Sequence, residues 1–267
     1  MSVTPTKKRL APAITLRYAL GLTQKMAASS RHPDRGLTLI EGLIAIVIVS
    51  ITLVSITPPI FWATGTRIQN RRAEQALQLA QGEIDRVRTL VDQGQATIDL
   101  LPPIAVGVAN IRLVNNVAAP TIPKDGNVIS VNPLCTNRDD GKAPDSPTKY
   151  LQVNTDPNPE NSNDCKANFL IQTFRSTGFD ENGIVPTGTT APAGFVMGVR
   201  VYSIVAEPNL KESKALTEQA SLKGTNGLGN QLTRPLAVQY STIVRSNASK
   251  NLDIYRKLCP SSGAGGC

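Results

Sequence analysis

The sequence predicts an α+β protein: a long N-terminal helix, first membrane-spanning and then amphipathic, packed on an antiparallel β-sheet head. Three observations predict it. Residues 42–62 form an apolar run with no charged side chain. Next comes a segment in which Ala73, Leu77, Ala80, Ile84, Val87 and Val91 recur at spacings of three and four. Beyond Pro102-Pro103, short β-branched runs alternate with stretches rich in Pro, Asn, Asp and Gly. The chain of 267 residues is long enough for one sizeable domain plus a membrane stem.

The first element is a basic leader, residues 1–36. It holds seven Lys/Arg (Lys7, Lys8, Arg9, Arg17, Lys25, Arg31 and Arg35) against one acid, Asp34. Six of the chain's eight net positive charges therefore belong to this segment, and the rest is close to neutral. A charge of +8 spread over the whole chain would point to nucleic acid; concentrated ahead of a membrane span, it points to a cytoplasmic amino terminus by the positive-inside bias. Met26 offers a second start that would shorten the leader.

A membrane helix is expected over 37–62, since about 20 apolar residues cross a bilayer. Its one carboxylate, Glu41, sits at the edge of the run. A charge in a membrane segment is costly and needs a reason. Cleavage after Gly36 would supply one, because the new α-amino group on Leu37 lies one helical turn from Glu41. Pro58-Pro59 interrupts the run, and a kink or local melting is expected there because proline lacks the N–H and clashes with the preceding turn. The stem helix follows over 63–93. Its apolar stripe must be covered by the head, and Arg71, Arg72, Glu74, Gln78, Asp85 and Arg88 fall on the opposite face. Gly94 is the stop, and Pro102-Pro103 bars continuation.

The head, residues 94–267, reads as antiparallel β with long loops. Strands are expected at 104–117, 168–174, 195–205 and 236–244. Stretches 120–148, 154–165 and 177–194, and a polar segment at 207–234, read as connections. All four cysteines, Cys135, Cys165, Cys259 and Cys267, lie in the head. An even number in an exported domain favours disulfides. Three pairings are possible; Cys259–Cys267 across a Ser/Gly-rich span, with Cys135–Cys165, is the favoured one. Zinc is disfavoured, because no Cys-x-x-Cys occurs and the single histidine, His32, lies in the leader. Asn154, Asp156, Asn158, Glu160 and Asp164 supply hard oxygen ligands for calcium, but without EF-hand spacing, and such residues ordinarily form turns. No cofactor is expected.

Residues Gly36-Leu37-Thr38-Leu39-Ile40-Glu41, preceded by Arg35 and followed by the apolar run, resemble the processing site of type IV prepilins and pseudopilins. The resemblance implies cleavage after Gly36 by a prepilin peptidase, methylation of the Leu37 amino group, and an assembly role for Glu41. Leu37 stands where phenylalanine is commoner. The implied partners are the peptidase, other pilins, an inner-membrane assembly platform and membrane lipid. The implied location is a single-pass inner-membrane protein with its head in the periplasm or in an extracellular filament. Residues 63–74, followed by Ile84-Asp85-Arg86-Val87-Arg88, are similar to cyanobacterial pseudopilins of hormogonium polysaccharide secretion, which ties the resemblance to secretion and motility.

Three functions follow from this reading. The first is a minor pilin or pseudopilin, a structural subunit of a pilus-like filament or secretion apparatus. The second is a tip subunit binding DNA or another ligand through residues such as Arg200, Arg234, Arg245, Lys250, Arg256 and Lys257. Few aromatic residues interleave with them, and no nucleic-acid partner is expected. The third is a membrane-anchored exported protein unrelated to filaments. Catalysis is not expected, since a head without histidine lacks Ser/His and Cys/His pairs.

Overall fold

The computed structural model describes residues 38–106, 116–130, 135, 140–156, 165–221, 229–247 and 249–259. The expected leader, Leu37, Cys267, most of the 154–164 loop and most of the later half of the 104–117 strand lie outside them. The chain divides into two units, one ending at Thr52 and the other beginning at Leu53. In the first, the described structure is the opening of helix α1 (Leu39–Asp92). The second holds the rest of α1 and the head.

Helix α1 continues through Pro58 and Pro59, so the local melting expected there is absent. Each proline removes one N–H donor from the ladder, and the helix nevertheless runs on across both. The hydroxyl of Thr57 donates to the carbonyl of Leu53 at 2.6 Å, one turn back. The helix ends after Asp92. Gly94 adopts φ +70°, its N–H reaches the Val91 carbonyl, and the Gln95 N–H reaches that of Leu90. These two bonds form a Schellman cap, which needs a left-handed residue at this point.

Helix α1 is followed by β1 (Ile104–Val106), β2 (Ile122–Ser130), β3 (Lys149–Asn154), β4 (Phe169–Ser176) and β5 (Gly194–Ser203). The short helix α2 (Glu207–Lys211), β6 (Ala237–Val244) and α3 (Asn251–Leu258) complete the head. The architecture is α+β, with a mixed sheet in the order β2-β3-β4-β5-β6. The long pairings β4–β5 and β5–β6 are antiparallel, while β2–β3 and β1–β4 are parallel. Strands β1 and β3 share one edge of β4: β3 pairs with Phe169–Ile171 and β1 with Arg175 and Ser176.

Sequence reasoning missed β2 and β3, and the physical reason differs for each. Strand β2 contains Pro123, Asp125, Gly126 and Asn127, all depleted in strands. Its register to β3 shifts between Pro123 and Val128, and such irregularity is tolerated because β2 is an edge strand. A parallel neighbour also needs a long crossover, which residues 131–148 provide. Strand β3 is short and buried at four of six positions, so it carries little alternation to read.

The sheet is buried on both faces. On one, Leu151, Val153, Phe169, Ile171, Phe195, Met197, Val199, Val201, Ala237 and Ile243 meet α1. The helix contributes Ala76, Ala80, Ile84, Val87 and Val91. The expected stripe is thus corrected at its upstream end: Ala76 is fully buried, and Leu77 is 40% exposed. Counting back from Val91 at about 3.6 residues per turn puts the contact line between 76 and 77. The smaller side chain takes the inner place, which lets the helix approach the sheet.

The other face is divided. Phe174, Phe179, Ala193 and Val196 pack with Ile254 and Leu258 of α3, while Tyr150, Leu170 and Tyr202 pack with Ala206 and Leu210 around α2. Burial, chiefly, raises the phenol pKa of Tyr150 and Tyr202 above the ordinary range, and Glu207 adds to the shift at Tyr150. Between the clusters lies Arg200, with no exposed surface. Its Nη1 donates to the carbonyl of Val117 at 2.6 Å and to Oε1 of Gln172 at 3.2 Å, and its Nη2 donates to the Tyr240 hydroxyl at 3.3 Å. The guanidinium lies 4.8 Å from the Phe174 ring centroid.

Gly198 makes room for that ring. A Cβ built there would stand 2.5 Å from Phe174 and 2.9 Å from Tyr240. Gly198→Val is therefore expected to destabilise the head by about 1–3 kcal/mol through overpacking. Thermal unfolding of the detergent-solubilised chain measures it, and an unchanged midpoint would show that the ring yields without cost.

Candidate functional site

The amino-terminal site is built on the first turns of α1. Thr38 stands at the N-cap: its carbonyl accepts from the N–H of Glu41 at 2.9 Å and of Gly42 at 3.1 Å. Its hydroxyl oxygen accepts from the N–H of Glu41 at 3.4 Å. The Thr38-x-x-Glu41 spacing is that of a capping box, a signal that sequence reasoning passed over. Glu41 lies in the first turn and is exposed, so its carboxylate also faces the positive end of the helix dipole. Gly36 and Leu37, expected to form the cleavage site, lie outside the described residues.

From Leu39 to Pro58 the helix is apolar and long enough to cross a membrane, and Glu41 is its single charged residue. None of it is buried by the protein. Leu43, Ile44, Ile46, Val47, Ile48 and Val49 are all exposed. Such a surface needs a covering from outside the chain, either lipid or the apolar helices of other subunits. The hydroxyls of Ser50 and Thr52 donate to the carbonyls of Ile46 and Val49 at 2.7 and 2.8 Å. Polar atoms on this segment are thereby satisfied within the helix, as hydrocarbon requires.

Residues 31–57 match the family model of the prokaryotic N-terminal methylation motif. The match covers Arg31 and Arg35, the candidate cleavage site, Glu41 and most of the apolar helix. This motif marks type IV pilin-like proteins, and the chain carries it at its amino-terminal helix. No curated protein and no solved structure matches it. The motif implies processing by prepilin peptidase and assembly with other pilins, and the family it marks is structural. The one apolar, membrane-length helix among the described residues, together with this motif, fits a pilin-like protein anchored by one membrane pass.

The other candidate residues lie in the head. Cys135 and Cys165 form a disulfide with a Cα separation of 5.6 Å, tying the crossover after β2 to the segment leading into β4. Cys259 is disulfide-bonded too, and its expected partner Cys267 lies outside the described residues. Among the described residues, no group of three or more His, Cys, Asp or Glu could hold a metal ion. Asn154, a calcium candidate, instead donates to the Lys166 carbonyl at 2.7 Å and accepts from the Asp156 N–H at 2.8 Å. Of the basic residues considered for nucleic acid, Arg245, Lys250 and Lys257 all bond to the 181–183 loop, at the Glu181 carboxylate and the carbonyls of Asn182 and Gly183. Arg200 is interior, while Arg234, Arg245 and Lys257 pair with Glu218, Glu181 and Asp253.

The Cys135–Cys165 bridge closes a loop of 30 residues' separation, which restricts the unfolded chain. Its loss through Cys135→Ser is expected to lower stability by about 2–4 kcal/mol. Thermal unfolding with and without reductant measures this, and EDTA is expected to leave the midpoint in place. A large EDTA effect would instead require a metal in the 154–164 loop.

Proposed function

We propose that the protein is a minor subunit of a type IV pilus-like filament or a related secretion apparatus. The observation that carries this reading is the junction at Glu41: a methylation-motif match over 31–57 meets an apolar helix whose surface the protein itself leaves uncovered. In this proposal the prepilin peptidase cuts between Gly36 and Leu37. The Leu37 amino group is methylated, and Glu41 pairs with the amino terminus of its own or a neighbouring subunit. A lone carboxylate costs about 3 kcal/mol at the centre of a membrane helix and less toward its end, where Glu41 sits, and relief of that cost by pairing favours one docking register.

The cationic leader supports an amino terminus in the cytoplasm and a head on the far side of the inner membrane. Disulfide bonding at Cys135, Cys165 and Cys259 fits that oxidising side. Ile68 and Leu77 are exposed on the stem and are available to neighbouring subunits. A two-faced head of this size supports a specialised subunit rather than the bulk one. Export of polysaccharide, with its link to motility, is a narrower proposal, resting on the residues at 63–74 and 84–88 alone.

Mass spectrometry of the mature amino terminus, in membranes with and without the prepilin peptidase, tests the cleavage. The expected result is a chain beginning at methylated Leu37 only where the peptidase is present. Gly36→Phe is expected to leave a slower-migrating, unprocessed chain, because glycine admits a backbone approach that a Cβ blocks. Complete processing of that variant would remove Gly36 from the site.

Glu41→Val is expected to be processed normally yet to be absent from purified filaments or from complexes with other pilins. Recovery of this variant with its partners at the parental level would remove the assembly role.

A further inference from the structure

A cavity of about 540 Å³ opens beside the loop that follows the stem, between residues 98–104, Lys124 and the 140–145 segment. Its volume is in the range of small-molecule sites. Arg175 of β4 forms part of its wall and is 3% exposed. The Nη1 of Arg175 donates to the carbonyls of Ser176 and Thr177 at 3.1 and 3.2 Å, and the guanidinium lies 5.5 Å from the Phe195 ring centroid. Its Nε is buried with no hydrogen-bond partner. The Nε–Nη2 side is the edge of an arginine that offers two parallel N–H groups to a carboxylate.

Among the described residues no carboxylate forms an ion pair with Arg175, and burial pushes its pKa down to about 10, where it is still cationic at neutral pH. A buried guanidinium without a counter-charge is costly. A second cation, Lys142, stands in the same cavity and approaches Asp99 only at 4.0 Å. Lys124, by contrast, is held at 2.6 Å by Asp140. Three carboxylates, Asp99, Asp140 and Asp145, share the lining with the cations.

That combination selects a ligand class. Three cations and three aspartates balance in the lining, so a multiply charged anion would bring an excess of negative charge. A neutral polyol would leave Arg175 without a counter-charge. An apolar acid would leave the aspartates without donors, although a carboxylate accepts several hydrogen bonds even when ion-paired. We propose that the cavity binds a hydroxyl-rich monocarboxylate, a sugar acid in chemical class, with its carboxylate on Arg175 and Lys142 and its hydroxyls donating to Asp99, Asp140 and Asp145. The inference does not rest on the filament reading, since every residue it uses lies in the head.

Isothermal titration of the full chain in detergent micelles with glucuronate tests it, with glucose and citrate as comparators. Saturable binding of glucuronate is expected, with glucose and citrate each about tenfold weaker or more. Lys142→Gln, at a half-exposed position, is expected to weaken glucuronate by about tenfold without disturbing the fold. Arg175→Gln is expected to weaken it at least as much; if that variant does not fold, Lys142→Gln decides. No saturable glucuronate binding, equal affinity for glucose, tighter binding of citrate, or a Lys142→Gln chain with parental affinity would each overturn the proposal. Glu41→Val is expected to retain glucuronate binding, so failure of assembly and failure of this site are distinguishable.

Discussion

The head depends on one packing contact: the stripe Ala76, Ala80, Ile84, Val87 and Val91 against the inner faces of β4 and β5. Strand β5 supplies four consecutive inward residues, Phe195, Met197, Val199 and Val201, each with no exposed surface. Full burial of an Ile or Val contributes about 1.5–3 kcal/mol relative to exposure. Without the helix, the most apolar face of the sheet would be open to water. Without the sheet, the stem would lack the tertiary packing that stabilises most helices. The small residues Ala76 and Ala80 let backbone and sheet come close, and the larger Ile84, Val87 and Val91 fill the space beyond them.

The opposite face uses different chemistry. There the sheet carries Arg200, Gln172 and Tyr240 rather than a continuous apolar layer. Arg200 and Gln172 donate to the carbonyls of Val117, Ala118 and Pro147, so loop backbone is tied to the central strands by charge-assisted and amide hydrogen bonds. A buried arginine is costly alone, but one that meets several acceptors and a ring face positions irregular chain that apolar packing would leave unregistered. Arg175 differs in this respect: both acceptors that it meets are reached through one nitrogen, Nη1.

The membrane segment follows opposite rules. Its residues are apolar on all sides and uncovered by the protein, so its stability comes from the surroundings it enters. Its polar atoms turn inward on its own backbone, with Ser50 and Thr52 bonded one turn back. Glu41 is the exception, an exposed carboxylate in the first turn of the helix.

The sequence by itself determined whatever depends on contiguous residues. The methylation motif, the apolar span, the stem helix and the strands around 169–176, 194–203 and 237–244 were legible because period and composition act over a few turns or one strand, although the strand expected to reach 205 ends at Ser203 in a helical turn. Helix α3 was missed because its eight residues are too few for the period to show, and its place is set by packing on Phe174 and Val196. Only the tertiary structure decided that Ala76 rather than Leu77 faces the sheet, because helix phase against a partner is not local. Only it paired β2 with β3 in parallel across a long crossover. Only it carried Arg200 into the interior while bringing Arg175 and Lys142, distant in sequence, into one cavity. An arginine reads the same in a sequence whether it is solvated, clamped or awaiting a ligand. Its burial and its partners distinguish the three, and long-range pairing sets both.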